Sequence, residues 1–171
     1  MAPVILEARS EADYVGFADL IREYVAWCRE RYFDTPWFVE MAFSHQSLDS
    51  ELAQLRLSYG PPNGKTLLAV DDGEVRGCAA YRTLGEGVCE MKRMFVPSRF
   101  HGQGLGRRLG EALLAQAQAD GFCAMRLDTG NMMTEACAMY RALGFVAGAP
   151  YIEYPERIKP FMLFMEKTLI G

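Results

Sequence analysis

The chain has 171 residues, half of them hydrophobic, and a formal net charge of −4 at pH 7. A chain of this length buries about 70% of its unfolded surface in one core, so we expect a single domain over residues 1–171. No apolar run approaches the ~20 residues that span a bilayer, and the acidic balance disfavours a nucleic-acid partner. These features predict a soluble, cytoplasmic protein without membrane partners.

Five cysteines occur, and none belongs to a C-x-x-C pair. This pattern indicates neither a disulfide framework nor a zinc site. We therefore expect no bound metal, and cysteines that act as small hydrophobic side chains in a reducing compartment.

The N-terminal part is predicted to begin with a strand over residues 4–9. Ser10 and Asp13 resemble a capping box, and the apolar residues that follow recur at helical spacing. A second helix is predicted around residues 50–57. We therefore expect strands and helices to alternate from the start of the chain.

A hairpin is predicted next. Asp72-Gly73 tolerates positive φ at both turn positions, between strands over residues 66–70 and 75–81. A further extended run covers residues 88–96. Strict period-2 alternation in that run places four residues on one face: Glu90, Lys92, Met94 and Val96.

The C-terminal part is predicted to hold a helix over residues 105–119, a strand over 124–129, a helix over 133–143 and a strand over 161–167. Gly121 and Gly144 follow the two helices in the position that favours a left-handed cap. The whole order is that of an α/β domain without internal repeats.

Glycine recurs at positions 102, 104 and 106, between an extended run and an amphipathic helix. Closely spaced glycines let backbone N–H groups converge, and the following helix adds its positive dipole end. Five basic residues and no acidic one lie between residues 91 and 110: Lys92, Arg93, Arg99, Arg107 and Arg108. This local charge predicts a phosphorylated small molecule as ligand.

Two common phosphate loops do not fit this segment. A Walker loop has Lys-Ser or Lys-Thr after its last glycine, where this chain has Arg107-Arg108. A dinucleotide fingerprint has G-x-G-x-x-G spacing and repeated βαβ units, so Asp128 is not interpreted as a ribose ligand.

Residues 94–106, MFVPSRFHGQGLG, resemble motif A of the GNAT superfamily of N-acetyltransferases, whose R/Q-x-x-G-x-G/A loop holds the coenzyme A pyrophosphate. Residues 136–145, ACAMYRALGF, resemble the family's A-x-x-L-Y-x-x-x-G-F segment. The resemblance implies a mixed, mostly antiparallel sheet of about seven strands, with central strands that splay to admit acetyl-CoA.

The resemblance also implies an acetyl-CoA-dependent N-acyltransferase. Its substrate would be a primary amine on a small molecule or a protein N-terminus, which attacks the thioester directly. A non-catalytic acyl-CoA sensor is the alternative function, and a homodimer is left open.

The same resemblance implies which residues contact the coenzyme. The backbone of Met94 and Val96 would bind the pantetheine amides, and the loop N–H groups the pyrophosphate. His101 departs from the family's Arg or Gln, and Met133 from its Asn, for which Asn131 would substitute. The predicted set is Met94, Phe95, Val96, His101, Gly102, Gln103, Gly104, Leu105, Gly106, Arg107, Arg108 and Asn131.

Two catalytic side chains are predicted. Glu90 would accept the proton of the amine, since several family members carry their general base at the matching place. Its alternative is an ion pair with Lys92 or an arginine. Tyr140 would protonate the leaving thiolate, its alternative being a buried core tyrosine.

The acceptor surface is predicted to come from residues 24–37, the surroundings of Gly85 and the loop over residues 151–156. Acidic and aromatic side chains there favour a small cationic amine.

Overall fold

The computed structural model describes residues 2–45 and 47–170, in which helices cover both faces of a seven-stranded sheet. The strands are β1 (Val4–Glu7), β2 (Gly64–Asp71), β3 (Glu74–Gly85), β4 (Val88–Phe95), β5 (Ala124–Gly130), β6 (Val146–Ala147) and β7 (Met162–Thr168). The helices are α1 (Glu11–Arg31), α2 (Pro36–His45), α3 (Leu48–Ala53), α4 (Leu55–Tyr59), α5 (Leu105–Ala119) and α6 (Thr134–Ala142). Met1 and Gly171, the ends of the predicted domain, lie outside the described residues.

The strand order is β1-β2-β3-β4-β5-β7-β6, and β4 and β5 run parallel whereas the other neighbours run antiparallel. The expected mixed, mostly antiparallel sheet is therefore confirmed. Among the helices described, none is long and apolar enough to cross a bilayer.

The predicted capping box opens α1. The Asp13 backbone N–H donates to the Ser10 hydroxyl over 3.2 Å, and the Asp13 carboxylate accepts from the Ser10 N–H over 2.8 Å. The two bonds satisfy N–H groups that a helix start leaves without partners. The helix then presents buried Phe17 and Ile21 to one face of the sheet.

The helices between α1 and β2 differ from the prediction. One helix was expected around residues 50–57, but α3 and α4 are separate and meet at Gln54. The sequence pattern also missed α2, whose stretch PWFVEMAFSH is apolar on nearly every side. Such a helix lacks the one-sided periodicity by which a surface helix is identified.

Turn chemistry was predicted correctly. Asp72 and Gly73 have φ values of 51° and 76°, as the tight β2–β3 hairpin requires. Gly121 and Gly144, which follow α5 and α6, have φ values of 90° and 95°.

A β-bulge in β4 overturns the predicted alternation. Lys92 pairs with Ala80 but Phe95 pairs with Cys78, so two residues of β4 oppose one residue of β3. Arg93 lies in the bulge with φ 53°. The extra residue reverses which face each later side chain occupies. Met94 and Val96 therefore pack in the core beneath α5, whereas Lys92 lies on the opposite face with Phe95.

The central strands separate as expected. Pairing between β4 and β5 covers only Val88–Glu90 against Ala124–Arg126. Beyond those residues the two strands continue without pairing with each other, so a cleft opens between them. A cluster that includes Tyr32, Phe38 and Ile158 packs beside α2.

Candidate active site

The cleft between β4 and β5 has two adjoining parts. The outer groove lies between the glycine loop and α6 and has a volume of about 530 Å³. The inner cavity lies among β4, β5, α1 and α2 and has a volume of about 110 Å³. Five residues line both parts: Tyr24, Met94, Met133, Ala136 and Tyr140.

The glycine loop forms an open cradle at the start of α5. Gly102 and Gly104 have φ values of 79° and 69°, and a Cβ at either position would meet no protein atom within 4 Å. No side chain caps α5 at Gly104. The first N–H groups of the helix are thus left for an anion, which the helix dipole also favours.

Most predicted cofactor residues line the outer groove: Met94, Phe95, Val96, His101, Gly102, Gly104, Leu105, Gly106 and Arg107. The imidazole of His101 donates from Nε2 to the Val96 carbonyl over 2.7 Å. Arg107 is exposed and donates to Glu111 over 2.8 Å.

Three predicted residues do not line the groove. Arg108 reaches the N-terminal segment, where it donates to the Pro3 carbonyl over 2.8 Å. Asn131 donates its side-chain amide to the Pro160 carbonyl over 3.2 Å. The third, Gln103, lies in the loop itself but not among the lining residues. No contact of Asn131 with the groove supports its predicted role.

Tyr140 lies where the two parts meet. Its side chain is buried, and its hydroxyl takes part in no hydrogen bond within the described part of the chain. Burial raises the pKa of Tyr140 well above its usual value, and the nearby negative charge of Asp128 adds to the rise. Tyr140 is therefore a protonated hydroxyl at neutral pH, with its hydrogen free to donate.

Glu90 lies behind the cavity wall and lines neither part of the cleft. Its carboxylate is fully buried, accepting from Arg82 Nε over 2.8 Å and from the Tyr151 hydroxyl over 3.0 Å. Lys92 Nζ lies 3.5 Å away. These contacts match the alternative role predicted for Glu90, an ion pair with Lys92 or an arginine.

Asp128 is the carboxylate that lines the inner cavity. Lys92 Nζ lies 3.3 Å from its Oδ1, and the Tyr154 hydroxyl donates to its Oδ2. The sequence interpretation considered Asp128 only as a ribose ligand. Asp128 lies on β5, beside the point where the central strands separate, and this position is the signal that the sequence interpretation missed.

The regions predicted to form the acceptor surface lie partly at the inner cavity. Tyr24, Cys28 and Tyr32 of the 24–37 region line the inner cavity. The loop over residues 151–156 acts indirectly, because its tyrosines hold Glu90 and Asp128. Its glutamates, Glu153 and Glu156, are exposed and pair with Lys159, and Gly85 is not among the lining residues. The acidic residues that favoured a cationic acceptor thus lie outside the cavity.

Comparison with known proteins agrees with this architecture. The model of the Acetyltransferase (GNAT) family matches residues 23–145. An uncharacterized N-acetyltransferase of Schizosaccharomyces pombe is 36% identical over 67% of this chain and 72% of its own length. An IAA acetyltransferase of Azospirillum brasilense is 40% identical over 63% of this chain and 70% of its own.

A solved structure shares the fold over almost the whole chain. The PaiA N-acetyltransferase from Thermoplasma acidophilum, in complex with coenzyme A, has a TM-score of 0.70 and 17% identity, covering 98% of this chain and 99% of its own. The family match spans well over half of the chain and coincides with the cleft and its glycine loop. The chain therefore belongs to the GNAT family and is an acyl-CoA-dependent acetyltransferase.

Proposed function

We propose that residues 1–171 form one catalytic domain that transfers the acetyl group of acetyl-CoA to a small primary amine. The observation that carries this proposal is Tyr140, which lines both the outer groove and the inner cavity. Acetyl-CoA in the groove would present its thioester at this side chain, and an amine in the cavity would approach from the other side.

The outer groove fits the coenzyme in two respects. The cradle at Gly102 and Gly104 and the uncapped start of α5 offer N–H donors for the pyrophosphate. The edge of β4 beyond Glu90 is not paired with β5, so its main chain is available to pantetheine amides. The Val96 carbonyl accepts from His101 and the Arg93 carbonyl accepts from the Cys78 thiol, so the pantetheine amides would use other main-chain groups on this edge.

The inner cavity limits the size of the acceptor. A protein cavity of about 150 Å³ accommodates benzene. The volume of about 110 Å³ therefore favours a compact amine over a polypeptide N-terminus.

The proposed reaction is direct transfer. A protonated alkyl amine with pKa ~10.4 needs about 4 to 5 kcal/mol to expose its lone pair at pH 7. We propose that Asp128, as the carboxylate in the cavity, accepts this proton in place of Glu90. The amine nitrogen then bonds to the acetyl carbon, and the carbon–sulfur bond breaks while the Tyr140 hydroxyl donates a hydrogen bond to the departing thiolate. The second proton that the nitrogen loses as the amide forms passes to this thiolate, which leaves as the free thiol.

A steady-state assay of thiol release from acetyl-CoA, run over a panel of small amines, tests the proposal. We expect release that depends on both the amine and the enzyme, with an equal amount of N-acetyl product found by mass spectrometry. Tight coenzyme binding without thiol release for any amine would instead favour the sensor function.

The cradle supports a separate prediction on coenzyme affinity. Gly104→Val should weaken coenzyme A binding by at least ~2 kcal/mol, or about 30-fold, because a side chain there blocks the backbone approach of the pyrophosphate and strains a φ of 69°. Isothermal titration calorimetry measures the loss directly.

Gly73→Val is the matched control. Gly73 has a φ of 76° and equally open surroundings, but it lies in the β2–β3 turn and outside the groove. Both variants should lose similar folding stability, while only Gly104→Val loses coenzyme affinity. Equal affinity in the two folded variants would overturn the assignment of the phosphate loop.

A further inference from the structure

Two buried polar groups of the inner cavity have no hydrogen-bond partner in the described part of the chain. They are Nη2 of Arg93 and the hydroxyl of Tyr32, on side chains from residues 8% and 4% exposed. Both residues line the cavity. Because nearly all buried polar groups in folded proteins are hydrogen-bonded, a pair of such groups in one cavity calls for a ligand.

The β4 bulge lies in the wall of this cavity. Residues 91–94 all line the cavity, and Arg93 among them is the bulged residue. Arg93 has a φ of 53°, which is unfavourable for a residue other than glycine, so the bulge carries backbone strain. Bulges commonly redirect a side chain beside an active site, so the distortion is consistent with a binding role.

Neighbouring residues hold the Arg93 guanidinium in a fixed position. Its Nε donates to Glu51 over 2.6 Å, and the Phe43 ring lies 5.9 Å from its central carbon. Nη2 is buried and has no hydrogen-bond partner among the described residues. This nitrogen and the Tyr32 hydroxyl each offer a donor in the same cavity, and the two oxygens of a carboxylate can accept one hydrogen bond from each.

The other charges of the cavity complete the pattern. Lys92 pairs with Asp128 and Glu90, and Arg93 pairs with Glu51, but Arg93 keeps an N–H donor without a partner among the described residues. Asp128 offers a negative group to an ammonium, while Arg93 and Tyr32 offer donors to an anion. A zwitterion complements both, and a cavity of about 110 Å³ accommodates only a small one.

We propose that Arg93 and Tyr32 bind a carboxylate of the acceptor, so that the enzyme acetylates small amines that carry a carboxylate. This inference rests on the proposed function. It replaces the cationic acceptor that the sequence favoured. The guanidinium and hydroxyl act here as binding and specificity-determining groups.

Paired acceptors test this specificity. The panel contains the standard amino acids and ω-amino acids of two to six carbons, each assayed beside its own carboxamide. We expect the best acid to exceed its carboxamide at least tenfold in kcat/KM. The amide has the less basic amine, so its larger fraction of free base works against this result, and such a preference would have to come from binding.

Tyr32→Phe is the most specific variant. It removes a hydroxyl that has no hydrogen-bond partner among the described residues, so it should not lower the melting temperature. We expect the ratio of kcat/KM between acid and carboxamide to fall at least fivefold, through KM of the acid. Tyr14→Phe removes a hydroxyl from a buried residue of α1, the helix that Tyr32 follows, at a place outside the cavity, and should leave the ratio unchanged.

The double variant Arg93→Gln, Glu51→Gln removes both charges of a buried ion pair, so neither charge is left without its partner. It should lower the ratio of kcat/KM between acid and carboxamide further than Tyr32→Phe does. Restored selectivity in Arg93→Lys would indicate that charge alone is sufficient. Equal kcat/KM for acids and carboxamides in the wild type, or parallel losses for both in Tyr32→Phe, would overturn this inference while leaving the proposed function intact. If no amine is acetylated at all, the proposed function itself fails.

Discussion

Asp128→Asn is expected to lower kcat/KM for the acceptor amine by about 10² or more at pH 7, with coenzyme A affinity unchanged within a few-fold. The substitution keeps the shape of a side chain that lines the cavity but removes its capacity to take a proton. Initial rates of thiol release, together with calorimetric coenzyme binding, separate the two effects.

The pH profile gives the stronger evidence. The fraction of free amine rises about tenfold per pH unit below the amine pKa, so a base is needed less as pH increases. The deficit of Asp128→Asn should therefore shrink between pH 7 and pH 9. A deficit that is constant with pH would mean that Asp128 only maintains the cavity.

Glu90→Gln is the matched control. It makes the same carboxylate-to-amide change beside the same Lys92, but at a residue outside the cavity. Arg82, whose side chain is 40% exposed, can be hydrated when its partner loses charge. We expect less than a tenfold loss at every pH. A loss of 10² in Glu90→Gln that shrinks at high pH, with a small loss in Asp128→Asn, would return the base to Glu90.

Local signals account for the parts of the fold that the sequence predicted. The Asp72-Gly73 turn, the Ser10 cap and the glycine after α5 each depend on the conformational preference of one or two residues, and all three occur as expected. The glycine loop was predicted from a local signal too, because its positive φ values and its accessible backbone depend on residues without a Cβ. Such features do not require knowledge of distant contacts.

The bulge at Arg93 could not be predicted in this way. A glycine or asparagine at positive φ would have been a local signal, but arginine is not. The carboxylate that holds Arg93 is Glu51, 42 positions away in a short helix that the pattern had merged with its neighbour. Because alternation was assumed to continue through the bulge, the sequence could not show which side chains share a cavity with Tyr140.

The other large effect is expected in Tyr140→Phe, whose kcat should fall by about 10 to 10³ while acetyl-CoA affinity stays within a few-fold. The hydroxyl has no hydrogen-bond partner among the described residues, so the interaction that we expect Tyr140→Phe to remove is the proposed one with the reacting sulfur. Tyr14→Phe, at a residue buried outside both parts of the cleft, is the control. Single-turnover rates at saturating acetyl-CoA isolate the chemical step.

The size of this effect depends on the leaving group. The coenzyme thiol has a pKa near ~8.5, whereas burial holds the pKa of Tyr140 well above its usual value. Complete proton transfer to the thiolate is then unfavourable, and the hydroxyl stabilises the developing charge mainly as a hydrogen-bond donor. The loss in Tyr140→Phe should accordingly shrink for an acetyl donor with a more acidic thiol, such as an aryl thioester. An equal loss for both donors, or a loss of coenzyme affinity as large as the loss of kcat, would show that Tyr140 acts through packing alone.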